Sequence, residues 1–278
     1  MNSTDRLQRF AQVPAVHVLG VRVHALTPED MHRLFAETID AGEKALVLNV
    51  NVHCMNLAYE RPWLVDILNA ADLVYCDGDG VVLGARLLGQ RLPTRITLAD
   101  WLWELSAFAC ERGYSLFFLG GREGVARVAA ERLRQRYPDL KVAGTHHGYF
   151  DKTSGSDENE AVLALIREMQ PNIAIVGFGM PIQEQWLHEN WPRLATNVAI
   201  SGGAIFDFIS GELKRAPGWM NDNGLEWLGR LLVEPGRLWR RYVVGNPLFL
   251  TRVVKARLGP PRRCSSRTAH VTSSSPSA

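Results

Sequence analysis

The chain has 278 residues, a hydrophobic fraction of 46% and a formal net charge of +2. This hydrophobic fraction excludes a wholly disordered chain, and the small net charge gives no overall argument for binding nucleic acid. The length suits one large domain or a domain with an appendage. No apolar run reaches the roughly 18 residues that a membrane-spanning helix needs.

The cysteines give no sign of a metal site or a disulfide framework. Cys54, Cys76, Cys110 and Cys264 show no C-x-x-C spacing. Their pattern fits a reducing compartment such as the cytosol. The N-terminus carries interspersed charges and lacks the apolar core of a signal peptide. Any contact with a membrane is therefore expected at the membrane surface.

Strand and helix patterns alternate along most of the chain. Residues 1–15 are expected to form a mobile leader, and residues 16–23 alternate like a strand or a short hairpin. Thr27 is a suitable N-cap, with Pro28 in the first turn of a helix that ends at Gly42. Further strands are predicted at 44–50, 72–76, 114–119, 140–143, 172–176 and 197–200. Helices are predicted between them, at 51–60, 62–69, 81–88, 98–112, 125–135, 160–169 and 183–189, with a polar loop at 151–159.

This alternation predicts the α/β class, with a Rossmann-like, mostly parallel sheet and covering helices over residues 16–210. The composition then changes, because residues 211–263 hold eleven basic but only four acidic residues. Residues 211–258 are predicted to form amphipathic helices rich in tryptophan and arginine. Residues 259–278, rich in serine and arginine, are predicted to be a disordered tail.

A carboxylate is predicted at the carboxyl end of one buried strand. Asp77 follows the apolar segment 72–76, and the glycines at 78 and 80 permit a tight turn before the next helix. In open α/β sheets this edge is where ligands bind, and a carboxylate there could take a proton from an attacking hydroxyl. The alternative is that Asp77 only caps the following helix. This stretch alone does not decide between the two.

Glycines follow three other predicted strands, at 120–121, 177–179 and 202–203. Glycine lets backbone N–H groups approach a phosphate, and the N-terminus of a following helix favours the anion. Close packing of a strand against a helix explains any one such turn equally well. Three turns on one edge favour a nucleotide or nucleotide-sugar ligand. A dinucleotide is disfavoured, because residues 144–146 offer no acidic side chain for a ribose.

Neither a metal site nor a serine nucleophile is predicted. His146 and His147 are adjacent, so on an extended segment their side chains point in opposite directions. Asp77 and Asp79 have a D-x-D spacing, but the glycine between them can aim the carboxylates apart. The sequence contains no Gly-x-Ser-x-Gly motif.

The C-terminal helices place aromatic and cationic residues together. The aromatic members are Trp219, Trp227, Trp239 and Tyr242, and the basic members are Arg230, Arg237, Arg240 and Arg241. Such a surface suits an anionic membrane interface, and arginines also suit a diphosphate. The alternative is a helical cover whose tryptophans are core residues and whose arginines are solvated.

A set of short motifs occurs in a fixed order along the chain. The motifs are LNVN at 48–51, NAAD at 69–72, DG at 77–78, Arg95, AD at 99–100, FLGG at 118–121, GYF at 148–150, GFGMPIQE at 177–184, GGAIFD at 202–207, KRAP at 214–217 and GLEW at 224–227. Each motif alone is weak, but the ordered combination is specific. It resembles the WecG/TagA/CpsF family of bacterial glycosyltransferases over residues 16–249.

The resemblance implies a metal-independent, inverting transfer of a hexose-type sugar from UDP to a saccharide linked to polyprenyl diphosphate. It implies Asp77 as the general base, in a catalytic set completed by Arg95, Gln183 and Asn51. The donor-binding residues that it implies are Asn49, Gly120, Gly121, Tyr149, Gly177, Gly179, Glu184 and Asp207. The residues that it implies for binding the lipid diphosphate are Arg215, Arg230 and Arg237.

The partners implied by the resemblance are a UDP-sugar donor, a lipid-linked saccharide acceptor and an anionic membrane surface. The expected location is the cytoplasmic face of the plasma membrane, with peripheral attachment. No cofactor and no nucleic acid are implied, and a homo-oligomer is left open.

Three departures from the family pattern bear on which sugar is transferred. Asn49 stands where some relatives have threonine, Leu98 replaces a common glycine, and Ile182 replaces a common lysine. Because Ile182 adds no cation for a uronic acid, the expectation leans to a neutral hexose such as glucose, in exopolysaccharide assembly. The first alternative is N-acetylmannosamine or its uronic acid, for a teichoic acid or enterobacterial-antigen-type polymer. The second alternative is a membrane-attached nucleotide-binding protein without catalysis.

Overall fold

The computed structural model describes residues 10–213, 220 and 226–259, without the side chains of Glu226 and Arg237. The strands in these ranges are β1 (Ala15–Val18), β2 (Val21–His24), β3 (Ala45–Val50), β4 (Leu73–Cys76), β5 (Ser115–Gly120), β6 (Lys141–His146), β7 (Ile173–Gly177) and β8 (Val198–Ser201). The helices up to residue 213 are α1 (Pro28–Asp40), α2 (Val52–Glu60), α3 (Pro62–Ala70), α4 (Asp79–Leu87), α5 (Leu98–Arg112), α6 (Val125–Arg136), α7 (Asp157–Met169), α8 (Ile182–Asn190) and α9 (Ile205–Ser210), with a 3₁₀ turn at Trp191–Arg193.

A parallel sheet forms the centre of the described chain. Six strands lie in the order β4-β3-β8-β7-β5-β6, and each neighbouring pair is parallel. Strands β3, β4, β7 and β8 are buried at every position, as expected of a sheet that is covered by helices on both faces. The predicted α/β class with a Rossmann-like sheet is confirmed.

The sheet separates two hydrophobic cores. Because successive side chains of a strand point to opposite faces, Phe117 and Phe118 lie in different cores. Phe118 packs in the core that contains Trp101, whereas Phe117 packs in the core that contains Trp186 and Phe249. The continuous apolar runs of the strands are explained by this burial on both faces.

Local signals in the sequence set several element boundaries. Residues 16–23 form the antiparallel hairpin of β1 and β2, and Thr27 caps α1 in a capping box with Asp30. The predicted polar loop at 151–159 is shorter than expected, because the Ser156 hydroxyl accepts the Asn159 N–H and starts α7 at Asp157. The starts of α1 and α7 are each fixed by a hydrogen bond from the backbone to a short polar side chain.

The described part of the N-terminal segment begins at Phe10 and packs on the domain. Phe10 is 5% exposed and belongs to the core with Trp101, and Val13 packs against the same core. The mobile leader predicted at 1–15 stays a prediction, and residues 1–9 lie outside the described residues. The predicted tail at 259–278 lies outside the described residues, apart from Gly259.

The C-terminal helices pack on the domain mainly through their last helix. Helices were predicted over residues 211–258, but the bounds of this last helix were not. They are α10 (Glu226–Val233), α11 (Pro235–Trp239), a π-helical turn at Arg240–Val244, and α12 (Gly245–Leu258). The Phe249 ring lies against Gly84 of α4 so closely that a Cβ built on this glycine would be 2.6 Å from the ring. Asn56 of α2 donates to the Gly245 carbonyl at 2.8 Å. No helix in the described ranges combines the length and apolar character needed to cross a bilayer.

Phe249→Ala is expected to destabilise the attachment of α12 to the domain. The variant removes a ring that is 1% exposed and leaves a cavity against Gly84, so the free energy of unfolding should fall by about 3–5 kcal/mol. Hydrogen exchange across α12 should accelerate. Leu248→Ala is the matched control, because Leu248 precedes Phe249 on the same helix and its side chain is 38% exposed. Equal effects of the two variants on stability would contradict this packing.

Candidate active site

The Asp77 carboxylate is held by side chains from two neighbouring strands. Asn49 Nδ2 donates to Asp77 Oδ2 at 3.2 Å, and Ser201 Oγ donates to Asn49 Oδ1 at 2.7 Å. The same Ser201 hydroxyl accepts the Asn49 backbone N–H at 2.8 Å. Asn49 and Ser201 are buried, so β8 orients the amide on β3, and this amide orients the carboxylate that follows β4.

The alternative role of Asp77 as a helix cap is not observed. Helix α4 begins at Asp79 with Gly78 as its N-cap residue, and no side chain caps it. The φ angle of Gly78 is +127°, a value that a residue with a Cβ rarely adopts. This turn frees the Asp77 side chain to face the edge of the sheet.

Two cavities meet at Asp77. The appendage cavity, of about 360 Å³, lies between α4 and the C-terminal helices, and the strand-end cavity, of about 310 Å³, lies over the ends of β7 and β8. The residues that line both are Asn51, His53, Asp77, Arg230 and Arg241. Asp77 is therefore placed to act on two molecules bound side by side.

The two cavities differ in their remaining lining. The appendage cavity is completed mostly by apolar side chains, namely Leu83, Trp227, Tyr242, Phe249 and Leu250, and also by the ion pair of Arg95 and Asp79. The strand-end cavity is completed by the glycine turns at 179 and 202–203, by polar side chains such as Asn49 and Thr97, and by apolar side chains such as Leu98 and Phe208. One cavity suits an apolar chain with an anionic group, and the other suits a polar ligand close to the backbone.

Asn51 and Arg95 both lie at the edge of the sheet with partners of their own. The Asn51 side chain caps α2 by accepting the Cys54 N–H at 3.1 Å, and it lines both cavities. Arg95 pairs with Asp79 at 2.8 Å and lines the appendage cavity. The Asp77 carboxylate accepts from Asn49, and the Asp79 carboxylate accepts from Arg95.

Gln183 links the two glycine turns that form the floor of the strand-end cavity. Its Oε1 accepts the N–H groups of Gly179 at 3.2 Å and Gly203 at 2.8 Å. Its Nε2 donates to Glu184 Oε1 at 2.8 Å. Gln183 and Glu184 are fully buried, so they shape the cavity from behind. We refer to these hydrogen bonds among Gln183, Glu184, Gly179 and Gly203 as the glutamine clasp.

Glu184 is a buried acid with one satisfied oxygen. Oε1 accepts from Gln183, whereas Oε2 has no hydrogen-bond partner among the residues that the structure describes. Burial raises the pKa of Glu184 to about 7, against the smaller opposing effects of the Gln183 amide and a backbone N–H. The side chain lines neither cavity.

Close backbone packing explains the glycines at the ends of β5 and β7. A Cβ built on Gly120 would lie 2.3 Å from the Gly177 carbonyl oxygen, and one built on Gly177 would lie 2.5 Å from the Gly203 carbonyl oxygen. The Gly121 N–H donates to the Gly177 carbonyl at 3.4 Å. Direct contact of these glycines with a donor stays a prediction.

Tyr149 and Asp207 lie along the same edge but do not line either cavity. Tyr149 is 73% exposed. The carbonyls of Gly148 and Phe150, which flank Tyr149, both accept from Lys152, and the Lys152 ammonium lies over the Phe150 ring. These contacts hold the loop that carries Tyr149. Asp207 lies in the first turn of α9. Their contact with a nucleotide stays a prediction.

Two arginines of the C-terminal helices line the site, and one of them, Arg230, was expected there. Arg230 lines both cavities and its guanidinium lies 4.9 Å from the Phe208 ring centroid, while Arg241 also lines both cavities. Arg215 and the side chain of Arg237 lie outside the described residues. Arg241 was predicted only as one of the basic residues of the C-terminal helices that suit a diphosphate, and not as a named site residue.

Ser201 and His53 are further site residues that sequence reasoning missed. A serine at the end of the apolar strand β8 was a signal for Ser201. His53 offers no such signal, since a histidine in the first turn of a helix is unremarkable. Among the described residues, no group of three or more histidine, cysteine, aspartate or glutamate side chains could hold a metal ion.

A Rossmann-like sheet with a carboxylate between a polar and an apolar cavity is suited to a transfer between two substrates. Comparison with known proteins identifies the class. Residues 16–263 match the glycosyl transferase WecG/TagA/CpsF family. The chain belongs to this family, which confirms the resemblance, and it is a glycosyltransferase of the hexosyl-transferring type.

Similar proteins are named N-acetylglucosaminyldiphosphoundecaprenol N-acetyl-beta-D-mannosaminyltransferase. The one from Bacillus subtilis strain 168 is 31% identical over 217 residues, which cover 78% of this chain and 82% of that protein. The one from Bacillus spizizenii is 32% identical over 217 residues, with 78% and 81% covered. The one from Staphylococcus aureus strain NCTC 8325 is 29% identical over 248 residues, with 87% and 93% covered.

These names agree better with the N-acetylmannosamine alternative than with the expected glucose. The reason given for glucose was the neutral side chain of Ile182. Ile182 is 52% exposed and lines neither cavity. The side chain of Ile182 therefore gives no information about which sugar is transferred.

Glu184→Gln is expected to stabilise the protein at alkaline pH relative to acidic pH. The glutamine keeps an oxygen that accepts from Gln183 but cannot ionise. The pKa of Glu184 is 4.5 in the unfolded chain and about 7 in the folded protein. The native protein therefore loses stability as the pH rises from 4.5 to about 7, because the folded state binds the proton more tightly. Denaturant titrations at pH 5 and pH 8 should show the variant gaining on the order of 2 kcal/mol over the native protein. A pH-independent difference between the two would contradict the raised pKa.

Proposed function

We propose that the protein transfers N-acetylmannosamine from a UDP-sugar to N-acetylglucosamine linked to polyprenyl diphosphate. The observation that carries this proposal is the position of Asp77 where the polar and apolar cavities meet. The names of the similar proteins support the sugar and the lipid-linked acceptor. The family resemblance supports UDP as the carrier of the sugar.

The proposed reaction is a single displacement at the anomeric carbon. The acceptor hydroxyl attacks this carbon, a new C–O bond forms, and the bond to UDP breaks with its electron pair leaving on the diphosphate. Asp77 takes the proton of the attacking hydroxyl as general base. Asn49 and Ser201 hold its carboxylate in a fixed direction, which lowers the cost of reaching the reactive geometry.

Each cavity is assigned one substrate by its lining. The strand-end cavity receives the sugar nucleotide, whose polar groups suit the backbone of the turns joined by the glutamine clasp. The appendage cavity receives the acceptor, with its first isoprenoid units against Trp227, Tyr242 and Phe249. Arg230 and Arg241 lie between the two and stabilise diphosphate charge.

Guanidinium and amide groups, rather than a metal, stabilise the departing UDP in this proposal, and no cofactor takes part. The acceptor is confined to a membrane surface, so the enzyme attaches there peripherally. The exposed apolar side chains of Trp239, Val243 and Val244, beside the exposed Arg240, support docking on an anionic membrane surface. We place this docking at the cytoplasmic face of the plasma membrane.

A donor panel tests the proposed function. UDP-N-acetylmannosamine and UDP-glucose are offered separately with a short-chain polyprenyl-diphospho-N-acetylglucosamine, in buffer with EDTA. We expect a disaccharide-lipid product from UDP-N-acetylmannosamine, detected by mass spectrometry. Faster transfer of glucose would overturn the assigned sugar. Loss of activity in EDTA that manganese restores would overturn the metal-free mechanism.

Asp77→Asn is expected to lower the turnover number by about 10²–10⁴-fold, because the amide cannot accept the acceptor proton. UDP binding, measured by calorimetry, should be unchanged. Asp66→Asn is the control, since this carboxylate is exposed on α3 and lines neither cavity. Native turnover in Asp77→Asn would show that another group is the base.

A further inference from the structure

His53 lies where the two cavities meet, and it has no part in the proton transfer to Asp77. It is the second residue of α2 and lines both cavities together with Asp77, Arg230 and Arg241. Its side chain is half-buried. Within the part of the chain that the structure describes, neither ring nitrogen has a hydrogen-bond partner. A half-buried imidazole without a protein partner leaves its hydrogen-bonding capacity to water or to a ligand.

The surroundings of His53 keep its ring neutral. Burial and then the charges of Arg241 and Arg61 lower its pKa to about 4, with a smaller opposing effect of Glu60. Around neutral pH the ring therefore offers one N–H donor and one nitrogen acceptor. A neutral donor beside two guanidinium groups complements an anion with several oxygens, because it adds a hydrogen bond without adding repulsion between cations.

We propose that His53 is a substrate-binding residue whose imidazole N–H donates to a diphosphate oxygen held between Arg230 and Arg241. The inference rests on the proposed function, which supplies two sources of this group. One is the diphosphate of the UDP-sugar, and the other is the diphosphate of the lipid-linked acceptor. His53 lines the cavities assigned to both substrates, so experiments must separate the two sources.

Two other roles for His53 fit the structure less well. A general base would need a pKa near the working pH, and the burial and charges around His53 work against proton uptake in the free enzyme. A purely structural role would require a hydrogen bond to the protein, as His24 makes to Val74 with its Nδ1 accepting the backbone N–H at 2.9 Å. His53 makes no such hydrogen bond within the described ranges, and an anionic ligand would supply a partner for its ring.

Ligand binding should then be linked to proton uptake by His53. A bound diphosphate offsets the charges of Arg241 and Arg61 and favours the imidazolium form, so the pKa of His53 rises in the complex. Between its free value of about 4 and this higher value, binding takes up a proton. At pH 8 the ring is neutral in both states and no uptake by His53 is expected. The other charged groups that line these cavities, Asp77, Asp79 and Arg95, remain unchanged in the variants described next.

The test compares the native protein with His53→Phe and His53→Asn in calorimetric titrations. The probes are UDP and a short-chain polyprenyl-diphospho-N-acetylglucosamine, each titrated at pH 5.5 and pH 8 in two buffers of different ionisation enthalpy. We expect His53→Phe to weaken binding of one probe by about tenfold, because a hydrogen bond to a charged group is lost. His53→Asn keeps an N–H donor and should recover part of this affinity. The probe that is weakened identifies which diphosphate His53 contacts.

Proton uptake provides the readout that a structural role would not change. The native protein should take up more protons than His53→Phe at pH 5.5 and the same number at pH 8. His188→Asn is the control, since this histidine is exposed on α8 and lines neither cavity. Affinities of His53→Phe within twofold of the native protein for both probes, with unchanged proton uptake, would overturn the proposal.

The failure of this inference can be distinguished from the failure of the proposed function. Probe binding is measured without turnover, so an effect of His53→Phe would stand even if the native protein transferred no N-acetylmannosamine. Conversely, native transfer that is accompanied by unaltered probe binding in His53→Phe would leave the function in place and remove His53 from the substrate site.

Discussion

The hydrogen bonds from Ser201 to Asn49 and from Asn49 to Asp77 are the constraint on which the site depends. The sheet that carries them is apolar on both faces, so a polar side chain within it must find its partner in another strand. An unpaired buried amide would cost about 1–3 kcal/mol. Because β4, β3 and β8 are adjacent and parallel, this requirement can be met at their carboxyl ends. The same hydrogen bonds that satisfy the buried amide also fix the direction of the carboxylate.

The glutamine clasp applies the same principle to the other half of the edge. Two glycine turns leave backbone N–H groups near the cavity, and the Gln183 oxygen satisfies one from each turn. The turns that follow β7 and β8 are thereby tied to each other and to α8. Glu184 fixes the far end of the glutamine, at the cost of burying an acid. Side chains that do not line the strand-end cavity thus help to set its shape. The presence of Glu184 in the motif at 177–184 can be explained by its hydrogen bond to Gln183, without a contact to the substrate.

Much of this arrangement follows from local sequence signals, and the rest depends on tertiary contacts. Apolar runs that end in glycine predicted the parallel strands and placed Asp77 at the ligand-binding edge. Thr27 and Pro28 set the start of α1 for reasons contained within one helical turn. The direction of the Asp77 side chain was undecided, because it depends on Asn49, 28 positions earlier in the chain. The glycines at 120 and 177 have a packing reason that only the neighbouring strand reveals. The position of His53 at both cavities could not be predicted, since Arg241, which lines the cavities with it, lies far along the chain.

The position of the C-terminal helices connects lipid recognition with catalysis. Trp227, Tyr242 and Phe249 line the appendage cavity together with Asp77, and Phe249 also packs α12 against α4. Helix α4 begins two residues after Asp77, so the surface that receives α12 is continuous with the turn that presents the carboxylate. The cavity proposed for the acceptor therefore exists only when these helices are packed on the domain. The same helices that complete the proposed acceptor site also carry the exposed aromatic and basic surface. Docking of this surface on a membrane would therefore bring the hydroxyl of a lipid-linked acceptor close to Asp77, the proposed base.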